Sequence, residues 1–286
     1  GIGNKVLIAN SASWGNGNTV SGINSAAWGI GNAVSGSHAA SWGNSNTVSG
    51  FAAGAWGSSN TVSGQNSGAV GTGNNVSANN AMALGDNNTI SGYNGVTLGI
   101  QNTINSGHES SVAMGKGAKT SLTLQFNARY QNGYRLFTSG TGEANGVLLT
   151  GGASTWASAS DRRLKNSIQD LGYGLKTINA LRPTSYKYNG QDKTSLGFIA
   201  QEVQEIVPEI VTTGFGDKGD YLGIQYTELI PVLTKAIQEL SAKISQLESE
   251  NTELKNQNVA SLKELIRIEL KNMSMENGAS QPQASK

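Results

Sequence analysis

The chain has 286 residues, 38 of them glycine, with no cysteine, two histidines and a formal net charge of +1. Disulfides and thiolate chemistry are excluded, and His38 and His108 lie too far apart to suggest a metal cluster. Charge is segregated: residues 1–118 carry only Lys5, Asp86, Glu109 and Lys116, and neither half gathers the basic side chains that a nucleic-acid backbone demands.

Residues 1–118 repeat with a period of fourteen. Trp14, Trp28, Trp42 and Trp56 occupy one phase, continued by Val70, Leu84 and Leu98, and a glycine follows each. Four residues past that position come Asn18, Asn32, Asn46, Asn60, Asn74, Asn88 and Asn102, and two further on Val20, Val34, Val48, Val62, Val76, Ile90 and Ile104. A fixed short period means a solenoid. Fourteen residues with two Gly/Asn turn signals leave room for two short strands per coil, which suits a β-roll or β-helix rather than a helical repeat. The Trp/Leu and Val/Ile phases are expected to stack coil on coil into a thin interior. Packing within or between chains is preferred over a sugar-binding ladder for the Trp phase, because that phase passes into Val70, Leu84 and Leu98. Gly1 falls in mid-repeat, from which a longer parent protein is expected. The period breaks at Asn105–His108 and resumes two residues late at Val112.

Residues 119–159 read as a small β-rich connector, with strands over Leu122–Phe126, Tyr134–Thr138 and Gly146–Thr150 and turns at Gln131–Gly133 and Gly140–Gly142. Residues 160–286 form a mixed, mainly helical module. A first helix is expected from just after Ser160 to about Ala180, with Asp161 in its first turn and Lys165 one turn along. A hairpin across Asn189-Gly190, a short helix over Ala200–Val207 ending at Pro208, and paired strands around the Gly214–Gly219 turn follow. From about 227 to 275 a long helix carries a heptad, with Ile230, Ile237 and Ile244 in one core position and Leu233, Leu240, Leu247 and Leu254 in the other. Asn251 and Asn258 continue the first set, and Pro231 fits only in the first turn. Residues 277–286 are expected to be disordered. No apolar run reaches the ~20 residues that span a bilayer, so no membrane insertion is expected. No phosphate loop is present, and no cofactor or metal is expected.

A serine hydroxyl becomes nucleophilic when a base takes its proton, and a lysine can do so once burial lowers its pKa. Ser160 and Lys165 are the candidate pair, with Ala159, Ser160 and Asp161 framing the bond at risk. Attack by Ser160 on the Ala159 carbonyl closes a five-membered ring, whereas attack on its own carbonyl closes a strained four-membered one.

The repeat of residues 1–118 resembles the head of trimeric autotransporter adhesins, which implies a left-handed β-roll built by three chains. The C-terminal module resembles the intramolecular chaperone domains of phage endosialidases, tail fibres and tail spikes. Four ordered blocks carry that likeness: Ser160-Asp161-Arg162-Arg163-Leu164-Lys165; Leu181-Arg182-Pro183 with Tyr186; Gly197-Phe198-Ile199-Ala200-Gln201-Glu202-Val203 with Pro208; and Tyr226-Thr227-Glu228-Leu229-Ile230-Pro231. The resemblance implies a homotrimerising domain that assembles the β-fibre before it and is released by self-cleavage in cis, once per chain. Ser160 is then the nucleophile and Lys165 the general base, with release around Ser160–Asp161. Ile and Leu in the two heptad positions by themselves favour two strands, in conflict with the implied trimer. The function so implied is the distal part of a virion tail fibre or spike that attaches to a host-surface glycan or protein receptor. A bacterial surface adhesin matured by the same module is the alternative. Glycosidic cleavage usually needs two carboxylates, and only Asp86 and Glu109 precede residue 119, so no activity on foreign substrates is expected.

Overall fold

The fourteen-residue period becomes one coil of a β-solenoid, seen in a computed structural model that describes residues 1–137, 146–216 and 218–279. Each coil contributes one long strand, such as Ala26–Ile30, and one two-residue strand, such as Ala33–Val34. The long strands stack into a nine-stranded parallel sheet and the short ones into an eight-stranded parallel sheet. Register follows the repeat: Trp28 pairs with Trp42, and Val34 with Val48.

The interior is thinner than two bulky phases would require. Val20, Val34, Val48, Val62, Val76, Ile90 and Ile104 are fully buried, and so are Ala27, Ala55, Ala69, Ala83 and Ala113. The inward residue of the long strand is thus the one before the Trp phase, because strand side chains alternate between faces. Trp14, Trp28, Trp42 and Trp56 project from the outer face and stack in a ladder, with centroids 4.9, 4.3 and 5.2 Å apart and rings within 7° of parallel. The expectation of an interior Trp phase is corrected on this point. The signal for the true core was a row of small residues at constant phase, since a roll this narrow accommodates Val opposite Ala but not Trp.

The asparagine phase closes the coils. Asn46 Nδ2 donates to Asn32 Oδ1 (3.0 Å), to the Trp42 carbonyl (3.2 Å) and to the Gly57 carbonyl (2.9 Å), while its own Oδ1 accepts from the Asn60 backbone N–H (3.0 Å). The same pattern repeats from Asn18 to Asn102 and ends where Asn102 Oδ1 accepts from the Ala118 N–H. Two extra residues between Val96 and its partner Val112 are absorbed in the turn, and Val112 then pairs with Phe126, fourteen on. Phe126–Arg129 is therefore the last strand of the long sheet, displaced from the expected strand at Leu122–Phe126 because Leu124 occupies a left-handed corner at φ 55°.

Gly133–Phe137, Gly146–Thr150 and Ala157–Ser158 form a three-stranded antiparallel sheet. The expected turn at Gly140–Gly142 lies outside the described residues. By internal contact the chain divides into two units, Gly1–Lys165 and Asn166–Lys286. In the second, α1 (Leu175–Ala180) and α2 (Ala200–Gln204) precede the 51-residue α3 (Leu229–Ala279). Antiparallel pairs join Thr184–Lys187 to Thr194–Gly197 and Val211–Phe215 to Tyr221–Ile224. Leu181, Val203, Val207, Ile210 and Leu229 make the core, flanked by Tyr173, Ile178, Phe198 and Ile224. α3 runs past residue 277 to Ala279, so the tail expected from 277 begins helical, and the remainder lies outside the described residues.

Candidate functional site

Ser160 and Lys165 do not share a helix. Asp161 caps a single 3-10 turn, Arg162–Leu164, accepting from the Arg163 backbone N–H at 2.8 Å. Lys165 follows in extended conformation (φ −121°, ψ 143°), and Ser167 adopts φ 49°. The helix expected from Ser160 to Ala180 is thereby reduced to α1. Asn166-Ser167 and Gly172-Tyr173-Gly174 supply the weak helix formers that break it.

This tighter geometry still unites the predicted pair. Lys165 Nζ donates to Ser160 Oγ across 2.6 Å. The guanidinium of Arg163 grips Asp161 through two bonds, Nε to Oδ1 at 3.0 Å and Nη2 to Oδ2 at 2.8 Å. Hydrogen bonds from Arg163 hold the Asp161 carboxyl below its ordinary value, so it stays charged and engaged with Arg163. Lys165 is consequently left to the serine. Upstream, Ser158 pairs with Val147 and Ala157 with Leu148, so the chain entering Ala159 is anchored in the antiparallel sheet. Trp156 is half exposed.

Ser160, Asp161 and Lys165 are all exposed in this chain. An ammonium that donates cannot accept a proton, and a lysine acts as base where low-dielectric surroundings favour its neutral form. Among the described residues no three His, Cys, Asp or Glu side chains gather as metal ligands. No described helix is long and apolar enough to cross a membrane.

The family model described as chaperone of endosialidase (Peptidase_S74) matches residues 160–212, beginning at the candidate nucleophile. That match covers under a fifth of the chain. The family is one of self-cleaving peptidases. The chain is also similar to the probable tail fiber protein of Escherichia phage Phieco32, at 35% identity over 99 residues, or 33% of this chain and 14% of that protein. The long tail fiber protein Gp37 of Enterobacteria phage K3 is 31% identical over 96 residues, 32% of this chain and 8% of that one. Its counterpart in Enterobacteria phage M1 is 30% identical over 120 residues, 40% and 44% of the two. The chain thus spans well under two thirds of each of these relatives. All are tail fibre proteins of phages, which supports a virion tail location for this chain.

Proposed function

We propose that this chain is the distal part of a trimeric phage tail fibre whose chaperone-of-endosialidase domain drives assembly and then cuts itself away at Ser160. The observation that carries the reading is the 2.6 Å hydrogen bond between Lys165 Nζ and Ser160 Oγ. In the proposed reaction, Lys165 in its neutral form takes the Ser160 hydroxyl proton while Oγ attacks the Ala159 carbonyl. The Ala159–Ser160 peptide bond breaks, Lys165 returns the proton to the departing amine, and an ester links Ala159 to Oγ. Water hydrolyses that ester to an Ala159 carboxylate and a free Ser160 hydroxyl. Release at Ser160–Asp161, which the family likeness suggests, differs from this by one residue in each fragment.

Trimerisation fits two further features. The heptad side chains Ile237, Leu240, Ile244 and Leu247 of α3 are exposed by 45–66% in the single chain. Apolar stripes of that length are normally covered by partner helices. Parallel repeats also have weakly specified register, since a slip of one coil keeps most contacts, and a domain that trimerises first aligns the three chains and raises their effective concentration. Removing it afterwards leaves a fibre trapped kinetically. Burial of Lys165 in the trimer would couple cleavage to assembly.

Intact mass under denaturing conditions, for wild type beside Ser160→Ala and Lys165→Ala, tests the reading. Two fragments breaking next to Ser160 in wild type only are expected, and their masses fix the bond. One intact mass in all three proteins removes the peptidase and leaves an assembly domain.

A further inference from the structure

The outer wall of the solenoid changes along its length. Along the position two residues before the Trp phase stand Ala12, Ala26, Ala40, Gly54, Gly68, Met82 and Val96. Two successive glycines therefore remove the wall side chain from adjacent coils. In the left-handed corner row Asn24, Asn66, Asn80 and Asn94 stand at φ 53–55°, while His38 at φ 59° and Ala52 at φ 52° replace asparagine in the two coils between Asn24 and Asn66. Alanine has no side-chain hydrogen bond to offset that conformation, whereas asparagine does. Beside these positions lies an open groove of about 430 Å³.

The groove has a hydrophobic floor and a polar rim. Trp56 ends the Trp ladder, since Val70 follows it, and the ring lies over Gly54, where a methyl group would run into it. The residue is 40% exposed. On the rim, Asn66 Nδ2 donates to Asn80 Oδ1 at 3.3 Å and Asn80 Nδ2 donates to Tyr93 Oη at 2.6 Å, so the two amides are oriented before any ligand arrives. His38, held against Asn24 at 3.2 Å, closes the other end. Residues 6–85 contain no Asp, Glu, Lys or Arg. A flat aromatic face beside fixed amide donors and acceptors, with no charge for eighty residues, suits a ring that is apolar on its faces and hydroxylated at its edge.

The geometry points to a binding subsite for a neutral saccharide on the Trp56 groove. This deepens the attachment function proposed above and rests on it. Charged sugars and phosphorylated glycans find no counter-ion on this face, and a protein partner would need a larger apolar area than one groove supplies.

The test uses the full chain on an array of neutral hexose and N-acetylhexosamine oligosaccharides beside their sialylated and phosphorylated counterparts. Two variants accompany wild type. Trp56→Leu removes the aromatic face while placing a residue that the same phase accepts at Leu84 and Leu98. Gly68→Ala refills the wall, with only the Met82 sulfur, 2.7 Å from the new methyl, having to move. Binding of a neutral glycan by wild type, weakened at least tenfold in both variants while circular dichroism and oligomeric state stay unchanged, is the expected result. No neutral glycan bound, selective binding of charged glycans, or unchanged binding in Trp56→Leu overturns the proposal. So does a Trp56→Leu variant that loses its oligomeric state, because the groove is then an inter-chain contact. Fragment masses from the same preparations report on self-cleavage separately, so a failed subsite and a failed maturation are told apart.

Discussion

Asn32 Oδ1 accepts from both the Nδ2 and the backbone N–H of Asn46, at 3.0 and 3.1 Å, and every member of that ladder is buried. A buried donor or acceptor left without a partner costs about 1–3 kcal/mol. Asn46→Ala removes the amide bonds to the carbonyls of Trp42 and Gly57 and leaves the N–H of Asn60 without its side-chain acceptor. Unfolding of the solenoid, followed by heat or urea, should therefore lose at least about 3 kcal/mol per chain. Asn46→Asp should be nearly as harmful, since the carboxylate brings a buried charge and donates nothing. A change as small as that of an exposed Asn would show the ladder to be passive.

Gly43 tests the spacing of the coils. Its φ is +117°, and a methyl group there would overlap the carbonyl oxygen of Gly57 in the next coil. Both the dihedral and the overlap oppose a side chain, so Gly43→Ala should destabilise by about 3 kcal/mol or more. Gly17, at φ +66° with open space around its missing side chain, is the control: Gly17→Asn should be tolerated, because Asn adopts the left-handed region most readily. The two midpoints, compared by thermal denaturation, separate crowding from backbone preference.

The solenoid was legible because its period is rigid: Val20 to Ile104 mark the core and Asn18 to Asn102 the closing ladder without a structure in hand. The facing of Trp28 was not, since hydrophobicity alone does not say which of two neighbours in a strand turns inward. Ala27, the smaller, does so, for want of space. At the site, Ser160 and Lys165 come within hydrogen-bonding distance, though not through the helix that their spacing suggested. In an α-helix a five-residue separation points side chains to different faces. The 3-10 turn capped by Asp161, followed by extended Lys165, folds the chain back so that they meet. Apolar spacing at Ile168, Leu171, Leu175 and Ile178 suggested a helix, and Ser167 at φ 49° overrides it.

Arg182 and Glu202 give the chaperone domain an acid-sensitive joint. Arg182 Nε donates to Glu202 Oε2 at 3.0 Å and Nη2 to Oε1, tying the segment after α1 to α2. The hydrogen bonds from Arg182 hold the Glu202 carboxyl below its ordinary value of 4.5. A carboxyl with a lowered folded value contributes stability above its unfolded value and loses it as pH falls through the folded one. Wild type should accordingly be more stable than Glu202→Gln at pH 7, with the gap closing progressively below pH 4.5. The pair is exposed, so high salt should shrink the gap at pH 7 as well. Denaturation midpoints of the two proteins across pH 3–7 check both statements, and a gap independent of pH would assign the loss to packing.

The stripe on α3 carries the assembly proposal into measurement. Ile237, Leu240, Ile244 and Leu247 face solvent in one chain, while Leu229, Val232 and Ala236 on the same helix are buried. One face of α3 thus packs on its own unit and another stays exposed, the face that the proposed trimer would cover. Leu240→Glu puts a charge in the middle of that exposed face, and three such charges meeting at one seam should abolish a trimer without disturbing the domain core. Sedimentation equilibrium should give the mass of three chains for Ser160→Ala and of one chain for Ser160→Ala combined with Leu240→Glu. In the Ser160 background no cleavage confuses the masses. With Ser160 restored, the Leu240→Glu protein should also cleave at least tenfold more slowly, because Lys165 remains exposed to water in the monomer. Cleavage at the wild-type rate by a monomer would separate the two activities and leave the serine–lysine pair competent by itself.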